Sequence, residues 1–132
     1  MKKLLVGALL LSLSLSAWAK PVKFEEHNQR TSQAADRGES WAQSALQVAL
    51  KLVGDSQECR ERRIEIQSTP EAFRDAHIVI IEEGLMDDSV FGIRYELMLR
   101  LGKHGWMVES ADKTWKCWPG RGHQYYSDEP CL

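Results

Sequence analysis

The chain has 132 residues, of which 27% are charged, with a formal net charge of −2 at pH 7 and three cysteines. This length suffices for one modest domain, and the small acidic excess argues against a general binder of nucleic acid or anionic membranes. No second long apolar stretch follows the N-terminal segment, so the pattern of a transmembrane helix is missing from the rest of the chain.

The first predicted element is a signal peptide over residues 1–19. It starts with two lysines, continues with an apolar run too short to cross a bilayer, and ends in Ala-Trp-Ala at 17–19, with small residues where a signal peptidase cleaves. No cysteine follows to accept a lipid. We therefore expect a periplasmic or secreted chain that begins at Lys20, with 15 basic and 19 acidic residues and a formal net charge of −4.

Residues 20–31 are polar and show no period, which predicts a flexible leader or an edge extension before a single domain over 32–132. One long amphipathic helix is predicted to begin at Ser40, with Gln43 completing a capping box, and to end at Gly54. The residues that repeat at helical spacing in it are Trp41, Ala45, Val48, Ala49 and Leu52.

After Gly54 the apolar residues alternate, which is typical of strands. Strands are predicted over 62–68, 77–81, 93–101 and 106–110, and a turn at 111–113 leads to a last short one. Leu97 and Leu99 should face the helix. The predicted fold is therefore α+β: one long amphipathic helix packed on a four- to five-stranded antiparallel meander sheet, followed by a disulfide-closed C-terminal loop.

The hairpin over 94–109 contains Tyr-x-Leu-x-Leu and Gly-Trp-x-Val elements. Together with the preceding helix it resembles the cystatin-like and nuclear-transport-factor-2-like domains, in which a curved antiparallel sheet wraps a helix. The tail from Trp115 to His123, ending at Cys131, is similar to tails of small secreted proteobacterial proteins. That likeness implies a cysteine pair and an envelope location, and it implies no activity.

Three cysteines allow three single bridges, 59–117, 59–131 and 117–131. An oxidising compartment favours a disulfide, and we favour Cys117–Cys131 because the glycines and prolines between them cannot form a helix or a central strand. Cys59 would then be a free thiol. Cys117, His123 and Cys131 lack the usual spacing of a zinc site, so no metal is expected, and no cofactor either.

The tail also concentrates the side chains that bind partners, and strand alternation assigns Trp106 and Trp115 to the core but Trp118 to the opposite face. The function predicted from this pattern is a non-enzymatic envelope domain that binds a protein partner or a small ligand, in an inhibitor-like or immunity-like role. The candidate binding residues are Trp118, Arg121, His123, Tyr125 and Tyr126.

Two other functions stay open. A small exported hydrolase would use His123 as a base with a carboxylate such as Asp112 or Asp128. A thiol-linked role would use Cys59. An enzyme predicts a deep cleft with the imidazole beside the carboxylate, whereas a thiol role predicts an accessible sulfur.

Overall fold

The structure, a computed structural model, describes residues 19–55, 58–69 and 73–132. The predicted signal peptide, apart from Ala19, lies outside the described residues. None of the helices in the described ranges is long and apolar enough to cross a membrane.

The described chain forms five strands, two α-helices and one 3-10 turn. All strand pairs are antiparallel and the order across the sheet is β1-β5-β4-β3-β2, which confirms the α+β class. The elements in chain order are β1 (Lys20–Pro21), α1 (Glu25–Asp36), the 3-10 turn (Ser40–Gln43), α2 (Ala45–Val53), β2 (Glu61–Gln67), β3 (Asp75–Glu83), β4 (Val90–Gly102) and β5 (Gly105–Cys117).

The prediction of one long helix from Ser40 is wrong, because the chain breaks at Ser44. Ser44 has an extended backbone, and its side chain accepts a hydrogen bond from the Gln47 amide at 3.3 Å, so it caps α2 itself. Residues 40–43 form a separate turn in which no side-chain cap is made. The predicted end is confirmed: Gly54 has φ of +87° and its amide donates to the Leu50 carbonyl.

For the segment over 20–31 the sequence predicted a flexible leader or an edge extension; the structure has an edge strand there, followed by the start of a helix that was not predicted. β1 pairs with β5, and α1 starts at Glu25. The buried face of α1 consists of His27, Thr31 and Ala34, which have the spacing i, i+4, i+7. The helix escaped detection because none of these three side chains is a large apolar one.

Asn28 attaches α1 to the sheet, because its side-chain amide forms the two hydrogen bonds with Val108 that a neighbouring strand would form. Its carboxamide Nδ2 donates to the Val108 carbonyl at 2.8 Å, and the Val108 amide donates to its Oδ1 at 2.9 Å. The amide and the carbonyl of Val108 on the outer side of β5 therefore both have hydrogen-bond partners, as buried backbone groups at a strand edge require.

The predicted turn at 111–113 does not exist, because β5 continues through it as one strand of 13 residues. A bulge next to Glu109 shifts the register, so that Met98 pairs with Ser110 but Leu99 pairs with Val108. The extra residue reverses the alternation of β5 and brings Ala111 onto the face that Val108 occupies.

The core lies between α2 and the part of the sheet near the β4–β5 turn. Leu97 and Leu99 are both 1% exposed and belong to the same cluster as Val48, with Leu52 packed against it, which confirms the predicted inward face of β4. Within the described ranges the core cluster consists of ten buried residues, namely Val48, Ala49, Ala76, Ile78, Ile80, Leu97, Leu99, Trp106, Val108 and Ala111.

We expect Leu97→Ala to lower the free energy of unfolding by about 2–5 kcal/mol, because it leaves a cavity between helix and sheet. Its neighbour Met98 is 42% exposed on the other face, so Met98→Ala should cost less than about 1 kcal/mol. Urea denaturation of both variants measures this difference, and equal losses would contradict the assigned faces.

Because of His27, the free energy of unfolding should decrease in mild acid. Burial lowers its pKa from 6.5, partly offset by the hydrogen bond with the Val48 carbonyl, and the charges of Arg30 and Lys51 lower it further. Below pH 6.5 the unfolded chain therefore binds a proton that the folded chain rejects, so stability falls as the pH falls.

The measurement is the free energy of unfolding between about pH 7 and pH 5 for the wild type and His27→Gln. The variant can still donate to the Val48 carbonyl but does not titrate, so its stability should fall less. The other three histidines are the same in both proteins, and parallel curves would therefore exclude His27 as the cause.

Candidate functional site

The C-terminal tail is closed by the Cys117–Cys131 disulfide, which confirms the predicted pairing and leaves Cys59 as a free thiol. The tail turns at Pro119-Gly120, where Gly120 has φ of +80° and the Arg121 amide donates to the Trp118 carbonyl at 2.9 Å. Positive φ at the third position of a turn favours glycine, which explains the Pro-Gly pair.

Trp118 is half-buried, whereas Arg121 is exposed. The Trp118 ring lies edge-on to Phe91 with ring centroids 4.8 Å apart, and the Arg60 guanidinium is 5.9 Å from its centroid. The indole therefore packs the base of the tail against β4 and against Arg60, which precedes β2, and only part of its surface faces solvent.

His123 is held by two backbone carbonyls. Its Nδ1 lies 2.8 Å from the Tyr125 oxygen and its Nε2 lies 2.8 Å from the Glu129 oxygen. Among the described residues no carboxylate, including those of Asp112 and Asp128, lies within ion-pair distance of this ring. Both ring nitrogens face backbone carbonyl oxygens of the tail, and among the described residues the ring lacks the carboxylate partner that would orient it as a general base.

Tyr126 belongs to an ionic cluster on the sheet face opposite the helices. Its hydroxyl donates to Glu83 Oε1 at 2.8 Å, and the Lys116 ammonium donates to the same oxygen at 3.0 Å. Burial and the bond to Glu83 raise the pKa of the Tyr126 phenol. Burial also acts to raise the pKa of the Glu83 carboxyl, but the two donors outweigh it and the pKa is lowered.

The five predicted tail residues do not converge on one site. Tyr125 is 59% exposed beside His123, while Tyr126 turns to the sheet. Ligand atoms of Cys117, His123 and Cys131 lie within 4.8 Å of one another, but the two sulfurs are bonded to each other and offer no thiolate. Within the described chain Trp118 and Tyr126 are thus held by contacts with the sheet, Arg121 and Tyr125 are exposed, and a binding role for the tail stays a prediction.

A cleft that sequence reasoning missed lies between β1 and the β4–β5 hairpin. Its volume is about 430 Å³, and Ile93 and Trp115, which pair across β4 and β5, form part of its apolar lining. Its full lining is Lys20, Pro21, Val22, Val90, Ile93, Lys113 and Trp115. The lining shares the sheet face of the core, beyond the part that the helices cover.

Two lysines lie side by side at this cleft. Lys20 and Lys113 are direct cross-strand partners in the β1–β5 pair. In the described chain neither has a carboxylate within 4.0 Å, and the Lys113 ammonium lies 6.0 Å from the ring centroids of both Tyr95 and Trp115. Like charges directly opposite each other destabilise a strand pair, so this is a place where an anion would be stabilising.

The cleft could not be found from the sequence for two reasons. Lys20 fell in a segment predicted to be irregular, and Lys113 fell in a predicted turn. Their proximity depends on β1 pairing with a strand more than ninety residues away in the chain, and no local pattern reports that pairing.

A buried ion pair occupies the neighbouring strands. Glu82, the cross-strand partner of Ile93, is 2% exposed, and its Oε1 lies 3.2 Å from the Arg62 Nε, without hydrogen-bond geometry. Burial raises the pKa of Glu82, and the Arg62 charge only partly offsets this. The pair adds charged groups to the sheet face that carries the core.

Removing the disulfide should lower stability without unfolding the core. For a loop of this size the chain-entropy model gives about 3 kcal/mol, so Cys117→Ser/Cys131→Ser should show a loss of that order in urea denaturation, with the far-ultraviolet circular dichroism retained. The matched control is Cys59→Ser, which removes the free thiol and should cost less than about 1 kcal/mol. If both changes cost the same, the bridge does not stabilise the fold.

No protein-family model, no curated protein and no solved structure matches this chain. The likeness to cystatin-like and nuclear-transport-factor-2-like domains stays a prediction.

Proposed function

We propose that this protein is an exported, non-catalytic binding domain that holds a small amphipathic anion, an acyl chain or aromatic ring bearing a carboxylate, in the cleft between β1 and the β4–β5 hairpin. The observation that supports this most directly is the pair of facing lysines, Lys20 and Lys113, at the rim of an apolar cleft.

The apolar part of the ligand has a complementary surface in this cleft. Ile93 and Trp115 line it from β4 and β5, and Pro21 and Val22 line it from β1 and the residue that follows. The volume of about 430 Å³ is within the range of small-molecule sites, which are mostly apolar with a few polar groups that orient the ligand. An acyl chain or an aromatic ring would be buried against the indole.

The charged part of the ligand would lie between the two ammonium groups. A carboxylate there would accept charge-assisted hydrogen bonds from Lys20 and Lys113 and relieve their mutual repulsion. If the signal peptide is cleaved after Ala19, the new α-amino group stands on Lys20 and adds a further positive charge at the same rim. Export is compatible with the Cys117–Cys131 disulfide.

The alternatives have less support. A hydrolase would need His123 beside a carboxylate, whereas its two ring nitrogens face the backbone carbonyl oxygens of Tyr125 and Glu129. Binding of a protein partner through the tail would need a convergent patch, whereas Trp118 packs on Phe91 and Tyr126 bonds to Glu83. The cleft offers both an apolar surface and unpaired charge in one place.

Calorimetric titration with decanoate tests the proposal. The protein is expressed with its own N-terminal segment and purified from the periplasm of a Gram-negative host, and its mass shows whether it begins at Lys20. Decanoate should bind, and Lys113→Met, which keeps the apolar stem, should weaken binding by about tenfold, or about 1.4 kcal/mol. Lys103→Met, on the exposed β4–β5 turn, is the matched control and should change nothing.

Decyltrimethylammonium, which has the same chain length and the opposite charge, should bind more weakly than decanoate. If the two amphiphiles bind with equal affinity, or if Lys113→Met binds decanoate as tightly as the wild type does, the lysines do not bind the carboxylate. Absence of decanoate binding at millimolar concentration would overturn the proposal.

A further inference from the structure

The two edges of the sheet are protected to different degrees. The edge of β5 is paired with β1, with the Asn28 carboxamide and, through the isolated bridge from Trp115, with Ser127. At the other edge β2 pairs with β3 alone, and no other segment of the described ranges pairs with its free side. A free strand edge is a template for another strand.

This unprotected edge is also apolar on one face. Ile64 and Ile66 are the cross-strand partners of Ile80 and Ile78, so they extend the face that forms the core. They lie beyond the part of the sheet covered by α2 and are 39% and 49% exposed. Addition of a strand at this edge would cover them.

The charges of β2 identify the strand that would fit. On the opposite face, Arg63 and Glu65 flank Ile64. Glu65 has no ion-pair partner in the described chain, whereas Arg63 reaches Glu61 at 3.2 Å and Glu83 at 3.6 Å with half of its side chain exposed. A partner strand needs a positive group opposite Glu65 and a negative group opposite Arg63.

We propose that β2 pairs antiparallel with β2 of a second copy of this chain, with the two-fold axis at Ile64, so that two five-stranded sheets join into one of ten strands. In this register Arg63 lies opposite Glu65 of the second copy, twice by symmetry. Ile64 packs on its own counterpart, and Ile66 packs on the aliphatic part of Arg62 of the second copy. Isologous pairing of this kind closes the assembly at two chains.

Neighbouring registers are disfavoured by charge. An axis at Arg63 places two guanidinium groups opposite each other and also opposes Glu61 to Glu65. An axis at Glu65 opposes two carboxylates. Like charges directly opposite destabilise a strand pair and opposite charges stabilise it, so only the register centred on Ile64 satisfies the two charged positions together.

The dimer does not use the free thiol or the cleft. In this register Cys59 of each chain is five residues from the axis on opposite sides, so the two sulfurs are far apart and the association should not depend on oxidation. The cleft lies at the β1 edge, across the sheet. Variants in β2 should therefore leave decanoate binding unchanged, and the two proposals can fail separately.

Sedimentation equilibrium over about 1 μM to 1 mM protein, in low salt, measures the association. Wild type should approach the mass of two chains at high concentration. Glu65→Arg should raise the dissociation constant at least about tenfold, because the new arginine then lies opposite Arg63 of the second copy, once on each side of the two-fold axis. The double change Arg63→Glu/Glu65→Arg restores opposite charges in the same register and should restore the dimer.

Glu26→Arg is the matched control, since Glu26 is exposed on α1, far from β2 in the chain, and the charge change is the same. It should dimerise as wild type does. Circular dichroism and urea denaturation of every variant identify any loss of folding. The proposal is overturned if folded wild type remains a monomer at 1 mM, if Glu65→Arg dimerises like wild type, or if the double charge swap fails to restore association while folded.

Discussion

The main constraint on this structure is the mismatch in length between its strands and its helices. β5 has 13 residues and spans about 43 Å, whereas α1 with 12 residues spans about 18 Å and α2 with nine about 14 Å. The helices can cover only the end of the sheet near the β4–β5 turn, where Leu97 and Leu99 are buried. At the other end of the same face no helix lies over the sheet, and the cleft forms there, lined by the half-buried Trp115 and by Ile93, which is 7% exposed.

The second consequence of long strands is a long exposed edge. On β5 that edge is covered piece by piece, by β1, by the amide of Asn28 and by the tail, which returns to bridge Ser127 with Trp115. This covering of the edge explains two side chains of the tail. The Trp115 indole donates to the Glu129 carbonyl oxygen, and His123 Nε2 lies 2.8 Å from the same oxygen. The packing of the β5 edge thus accounts for Trp115 and His123, whereas Trp118 and Tyr126 contact β4 and β3 and Arg121 and Tyr125 are exposed.

Local patterns were sufficient where a residue's environment is set by its immediate neighbours. Alternation assigned Leu97 and Leu99 to the core face, Gly54 ended the helix, and the glycines and prolines between Cys117 and Cys131 favoured the observed bridge. They failed for α1, because a helix face made of small and polar residues shows no apolar period. They also failed at the bulge near Glu109, where one extra residue reverses the alternation and imitates a turn.

The sequence alone therefore determined the class of the fold, the inward face of β4 and the disulfide, all of which depend on contacts close in the chain or on a strict period of two. Only the tertiary structure decided which surfaces stay exposed, namely the cleft and the free edge of β2. Lys20 and Lys113 become neighbours only because β1 pairs with a strand far along the chain, and Ile64 is 39% exposed on β2, the strand at the other edge of the sheet. Long-range pairing and the relative lengths of packed elements are global quantities, and no local pattern of residues encodes them.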